Sequence, residues 1–352
     1  MKLLHVVGAR PNFPKLAPVH REAKRAGLNQ TVIHTGQHYD EALSEGLFRD
    51  LGMGAPEINL AVGSGTHAVQ TAEVMARIEP HLLRLMPDWL VVYGDVNSTV
   101  AAALVASKIG IRIAHVEAGL RSYDRAMPEE INRIITDRLA DLLLTPSRDA
   151  DETLRAEGEP EDEICFVGNV MVDSLLHSLP AARATGFSQR IANGRRIVAV
   201  TLHRPSNVDD PKRLKDLVLA LRQIAENFAV VFPAHPRTHQ RIKQDSLDLG
   251  SVKLLPPVGY FEMINLIEGA HAVITDSGGI QEETTSLGVP CLTLRRNTER
   301  PITVREGTNR LVPDPKNLVA YFEAISRPAT GRRPEGWDGN ASERIVAALQ
   351  SR

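Results

Sequence analysis

The chain has 352 residues, more than one ordinary hydrophobic core accommodates, so two domains of similar size are expected. With 43% hydrophobic and 24% charged residues and a formal net charge of -2, the composition is that of a plain globular protein. General nucleic-acid and membrane-surface binders carry a large basic excess, so neither partner is expected here and any anion site has to be local.

Short β-branched runs alternate with helical patterns along the whole chain. In chain order they predict a strand over 3–7, a helix over 14–26 stopped by Gly27, and a strand over 31–34 that enters Thr35-Gly36-Gln37-His38. A strand over 89–93, a helix over 98–109 closed by Gly110, a strand over 111–116, a helix over 129–139 and a strand over 142–145 follow. The strands are continuously apolar, as expected when helices cover both sheet faces. A second series predicts strands over 197–202, 229–232, 252–255, 272–275 and 291–294. Residues 181–196 are polar and separate the two series, the crossover being expected near Gly168-Asn169. Residues 326–340 read as a connector to a last helix over 341–349.

The expected fold is therefore α/β, with two doubly wound Rossmann-like domains facing a cleft. Residues 1–169 plus 336–352 form the first domain and 170–335 the second. Cys165 and Cys291 are far apart within apolar runs and are expected as buried thiols. The apolar run after Met1 is about half a typical secretory core, and no window approaches the roughly 20 apolar residues that span a bilayer. A cytoplasmic location is expected.

The loops at strand ends carry the chemistry. At Asp276-Ser277-Gly278-Gly279 a buried strand runs into a turn and then a helix. Its first-turn N–H groups and dipole suit a diphosphate, and two glycines let phosphate approach the backbone. The simpler reading is a helix cap with stabilising acids behind it. Glu282 or Glu283, one turn further on, can accept the hydroxyls of a ribose. No G-x-x-x-x-G-K-[ST] sequence occurs, and the first strand ends in Gly8-Ala9-Arg10-Pro11-Asn12-Phe13, not G-x-G-x-x-G. Neither a P-loop enzyme nor a nicotinamide cofactor has support.

Arg10 and Lys15 bring cationic charge to the end of the first strand. Asp95 and Glu117 end neighbouring strands, where carboxylates can serve as acid and base. Glu129 and Glu130 open a helix, and for Glu130 a plain capping role is the expectation. Arg121 and Arg133 are near enough in sequence to pair with Asp95 and Glu117. His203, Arg204 and His235 close strands of the second series. His235 and His239 have i,i+4 spacing, but Pro236 intervenes and no third ligand is evident, so no metal is expected.

Taken together, Gly8-Ala9-Arg10-Pro11 with Lys15, Val92-Tyr93-Gly94-Asp95, His115-Val116-Glu117-Ala118-Gly119-Leu120-Arg121, Pro128-Glu129-Glu130-Ile131-Asn132-Arg133, Thr201-Leu202-His203-Arg204, the run 275–283 and Thr298-Glu299-Arg300-Pro301 resemble the non-hydrolysing UDP-N-acetylglucosamine 2-epimerases. The resemblance spans nearly the whole chain in the family's order. It implies the glycosyltransferase-B fold, an active site between domains and a last helix that returns to the first domain. It implies homodimers, a UDP-sugar substrate, and no redox cofactor or required metal. Carried over by motif, Arg10, Ser277, Gly278 and Gly279 would hold the diphosphate and Glu283 the ribose. His203 and Arg300 would join the phosphate and sugar contacts, with His203 also grouped among the catalytic residues and His235 among the binding residues. Asp95, Glu117 and Glu129 would be the catalytic carboxylates, supported by Lys15 and Arg133. The family commonly has Thr at position 9 and Glu-Ala-Ile before the lysine, whereas this chain has Ala9 and Asn12-Phe13-Pro14 and keeps Lys15. Gln37-His38 matches part of an allosteric nucleotide-sugar site known in some members, and Ser64-Gly65-Thr66-His67-Ala68 does not match the rest.

Overall fold

The computed structural model describes residues 1–37, 41–325 and 333–352, with the backbone alone for 41–45. His38 and residues 326–332 of the connector expected before the last helix lie outside the described residues. The chain forms two compact units, residues 1–176 with 335–352 and residues 177–334.

The first unit carries a seven-stranded parallel sheet, β1 (Lys2–Val7), β2 (Asn29–His34), β3 (Ile58–Asn59), β4 (Trp89–Tyr93), β5 (Arg112–Val116), β6 (Leu142–Thr145) and β7 (Ile164–Phe166), in the order β3-β2-β1-β4-β5-β6-β7. The second has six parallel strands, β8 (Ile197–Thr201), β9 (Ala229–Pro233), β10 (Lys253–Leu255), β11 (Ala270–Thr275), β12 (Cys291–Thr293) and β13 (Asn309–Leu311), in the order β10-β9-β8-β11-β12-β13. Both orders reverse direction once, between β1 and β4 and between β8 and β11. Loops leaving the carboxyl ends of such a pair diverge and open a crevice. Every residue of β4 is buried, as are most of β1, β8 and β11. Each fully buried Val, Leu or Ile contributes about 1.5–3 kcal/mol, so the strands that set the crevices are also the best anchored.

Two short strands escaped the sequence pattern. β3 and β13 are outermost in their sheets, at most three residues long and interrupted by polar residues, so they lack a continuous apolar run. Cys165 lies on β7, itself outermost, and is half-buried, against the expectation of a buried thiol. Cys291 on β12 is buried, and burial pushes its thiol up to about 11.

The polar residues 181–196 are largely helical, within Val170–Ala184 and Phe187–Ala192. The boundary between units falls inside the first of these helices, not at Gly168-Asn169. Asp173 in that helix accepts from the backbone N–H groups of Ala341 and Ser342, capping the final helix Ala341–Ser351. Ser174 donates to the carbonyl of Pro14. The early turns of Val170–Ala184 therefore belong to the first unit. On its far side the final helix reaches Phe13–Arg25, where Arg25 pairs with Glu343 at 3.1 Å.

Candidate active site

In the first unit the loop after β1 is tied to the end of β4 by Asn12. Its Oδ1 accepts from the N–H groups of Gly8 and Ala9, and its Nδ2 donates to the carbonyl of Tyr93 at 2.8 Å. This buried residue stands at a position where the sequence departs from the family pattern, and motif reading gave it no role. Arg10 lies in the short helix Arg10–Asn12, and its Nε is buried without a hydrogen-bond partner among the described residues.

The register sets Tyr93 opposite Val116, so Gly94-Asp95 and Glu117 leave the sheet side by side. Lys15, buried in Phe13–Arg25, donates to Glu117. Glu117 is 4% exposed and has φ of 74°, a left-handed conformation costly for a residue with a Cβ. Gly94 (φ 63°) packs against the pair, and a Cβ there would lie 2.7 Å from Lys15 Nζ.

The helix Pro128–Leu139 supplies the other wall. Arg133 bridges Asp95 at 2.5 Å and Glu130 at 2.6 Å, and Asn132 Nδ2 donates to the carbonyl of Asp95. Glu130 is not a plain cap. It is buried and accepts from the backbone of Ser122 and Tyr123 and from the Ser122 hydroxyl, so it fixes the preceding loop. Glu129 is partly exposed in the first turn, with no hydrogen-bond or ion-pair partner among the described residues. Arg121 pairs with Asp137 and Glu157, both at 2.7 Å, and not with Asp95 or Glu117. Nearness in sequence misled here, because the chain turns Arg121 toward the opposite end of the helix.

In the second unit, Thr201 and Thr275 face one another at the ends of β8 and β11, their hydroxyls 2.7 Å apart. Asp276, fully buried, points away from the anion turn. It accepts from the N–H groups of His203 and Arg204, from Asn207 Nδ2 and from His203 Nδ1 at 3.0 Å. Burial opposes its ionisation, but these donors prevail and hold it below the usual carboxylate range. Asp276 thus belongs to the scaffold of the His203 loop, and the turn expected to meet an anion narrows to Ser277, Gly278 and Gly279.

Ser277 takes the N-cap position of the helix Gly278–Leu287 with its side chain not engaged as a cap. Beside it, Arg300 reaches Glu282 at 2.9 Å and Glu299 at 2.7 Å, and Glu299 also holds Arg295 at 2.7 Å. A Cβ on Gly278 would meet Arg300 Nη1 and Glu299 Oε1 at 2.7 Å. Glu282 is engaged by Arg300, which distinguishes it from Glu283. Burial first, and then the adjacent Glu282, push the Glu283 carboxyl up to about 8. The buried Tyr260 phenol feels the Glu283 charge and is raised mainly by burial, so it joins this group without having a motif of its own. His235 is exposed at the end of β9 and caps the helix Pro236–Gln244 by accepting from the Arg237 N–H.

Residues 20–350 match the family described as UDP-N-acetylglucosamine 2-epimerase. The chain belongs to this epimerase family. It is 42% identical to the UDP-N-acetylglucosamine 2-epimerase of Methanocaldococcus jannaschii, with 99% of both chains covered. It is 43% identical to the UDP-2,3-diacetamido-2,3-dideoxy-D-glucuronate 2-epimerase of Pseudomonas aeruginosa, again over 99% of both. The crystal structure of the M. jannaschii epimerase in complex with UDP-GlcNAc and UDP superposes with a TM-score of 0.93 at 41% identity, covering 100% of both chains. The epimerase is thus a member of an isomerase family, and its two parallel sheets are those of the glycosyltransferase-B fold. Among the described residues, no helix is long and apolar enough to cross a membrane.

Proposed function

We propose that this epimerase interconverts UDP-N-acetylglucosamine and UDP-N-acetylmannosamine by anti elimination of UDP and its re-addition. The observation that carries the reading is the division of labour between two strand-reversal points. One ends in a helix N-terminus suited to a diphosphate, and the other in ion-paired carboxylates.

The C2 hydrogen of the sugar has no adjacent carbonyl, so its direct removal at neutral pH is very slow. Departure of UDP builds positive charge at C1 and acidifies that hydrogen. Ser277, Gly278 and Gly279, with Arg10, Arg300 and His203, stabilise the leaving diphosphate, and Glu283 receives the ribose. A carboxylate from the set Asp95, Glu117 and Glu129 takes the C2 proton as the C1–O bond breaks, giving 2-acetamidoglucal and UDP. A second carboxylate delivers a proton to the opposite face of C2 while UDP re-adds at C1. Lys15 and Arg133 hold Glu117 and Asp95 in place through their ion pairs. The hydrogen leaves and returns as a proton, so the chemistry calls for no redox cofactor.

The P. aeruginosa relative, as similar as the M. jannaschii one, supports a second reading in which the substrate is a UDP-diacetamido-glucuronate. Incubation of the protein with each UDP-sugar, followed through the anomeric NMR signals, separates them. Turnover of UDP-N-acetylglucosamine to the manno epimer is expected, and turnover of the glucuronate alone would transfer the assignment.

We infer a homodimer as the working form. The helix His67–Leu85 turns Val69 and Leu83 outward, and Met86 follows them. A groove of about 340 Å³ against the helix Asn97–Ile109 is lined by Ala72, Met75, Ala76 and Val105, with Glu79 and Lys108 providing opposite charges. A self-matching patch of this kind suits a two-fold contact. Leu83→Glu is expected to give monomers in sedimentation, and an unchanged dimer would remove this face from consideration.

A further inference from the structure

We propose that His115 is a positioning residue for the epimerisation, a buried imidazolium that clamps the Gly94-Asp95 turn against the helix Pro128–Leu139.

His115 is on β5, fully buried, two residues before Glu117. Its Nε2 lies 2.8 Å from the carbonyl oxygen of Gly94, and its Nδ1 lies 2.6 Å from Asp137 Oδ1. A carbonyl can only accept, so Nε2 carries a hydrogen. Asp137 also takes the Gly119 N–H at 3.2 Å and the Arg121 guanidinium at 2.7 Å, the partners of an ionised carboxylate. Its Oδ1 therefore accepts from Nδ1, and the ring donates at both nitrogens.

The clamp bears on the reacting groups through the backbone. Gly94 is held from both sides, its N–H donating to the Val116 carbonyl and its own carbonyl accepting from His115. The next peptide begins Asp95, whose carbonyl and carboxylate are taken by Asn132 and Arg133. Asn132, Arg133 and Asp137 all project from one helix, so Asp137 through His115 completes a three-point grip on the turn. Glu117, in its left-handed conformation, follows directly after β5.

This inference rests on the epimerase reading, and its test separates the two. In the full-length protein, His115→Asn keeps a group facing Asp137 but cannot reach Gly94, whereas His115→Gln extends an amide N–H toward the carbonyl. His115→Asn is expected to lower kcat about 100-fold with KM for the UDP-sugar within about 3-fold, because misplacement of a reacting group costs rate and not nucleotide binding. His115→Gln is expected to recover at least about 10-fold of that loss. Equal losses in both variants, or a rise in KM with kcat preserved, would overturn the positioning role. In 15N-histidine NMR of the wild type at neutral pH, with the signal assigned by its loss in His115→Gln, both ring nitrogens are expected to be protonated. One unprotonated nitrogen would overturn the imidazolium. If the wild type turns over no UDP-sugar, the epimerase reading fails, and the NMR signal still decides the charge of His115.

Discussion

The two strand-reversal points use opposite means. In the first unit the groups proposed to work are side chains, each of two carboxylates gripped by a cation: Lys15 on Glu117 and Arg133 on Asp95. In the second unit they are largely backbone N–H donors at the start of Gly278–Leu287, and the nearby acid, Asp276, is turned inward to hold the His203 loop. On the function proposed, one region moves protons and the other holds an anion that leaves and returns. Substitutions in the two regions should therefore separate into losses of kcat and losses of affinity.

The largest effect is expected in the first region. Asp95→Asn keeps the shape of the side chain but removes the ion pair and the acid–base function, and kcat should fall by roughly 10³-fold with KM little changed. A KM effect of similar size would erase the division between the regions. Next in size is Gly278→Ala. Its Cβ would be forced onto Arg300 and Glu299, so UDP, followed by calorimetry, should bind about 10-fold more weakly while the carboxylates are untouched. Unaltered binding would move the diphosphate elsewhere.

The smallest effect concerns Glu283, whose carboxyl is raised to about 8 in the folded protein by burial and by Glu282. The unfolded chain ionises near 4.5, so between that pH and about 8 the folded state binds the extra proton. Stability from this group is then full at low pH and is lost as pH rises through that window. Thermal melts of wild type and Glu283→Gln without nucleotide should accordingly draw apart between pH 5 and 8, the wild type losing ground by a few degrees. Parallel curves would mean that Glu283 is already ionised.

The same contrast shows what a sequence carries. β1, β4, β5, β8 and β11 were legible because burial on both faces leaves a continuous apolar run, and their loops could be named from strand ends alone. The outermost strands β3 and β13 were not, since polar residues interrupt so short a strand and leave no apolar run to read. At the site, residue types were legible but directions were not. Asp276 sits in the anion motif yet faces its own scaffold, and Arg121 sits near the carboxylates yet serves Asp137. The His115–Asp137 contact joins residues on a strand and the following helix, a pairing that only the packed fold specifies. Asn12 was hidden for another reason, because its role as a lace between two loops replaces a residue of different chemistry in the family pattern.

In the proposed reaction the first region removes and returns a proton at C2 while the second holds UDP. Running the reaction on UDP-N-acetylglucosamine in D2O tests it most directly, with C2 read by NMR and free 2-acetamidoglucal sought in the mixture. One solvent deuterium at C2 of the manno product and traces of the glycal with UDP are expected. Product that retains its original C2 hydrogen throughout would contradict it.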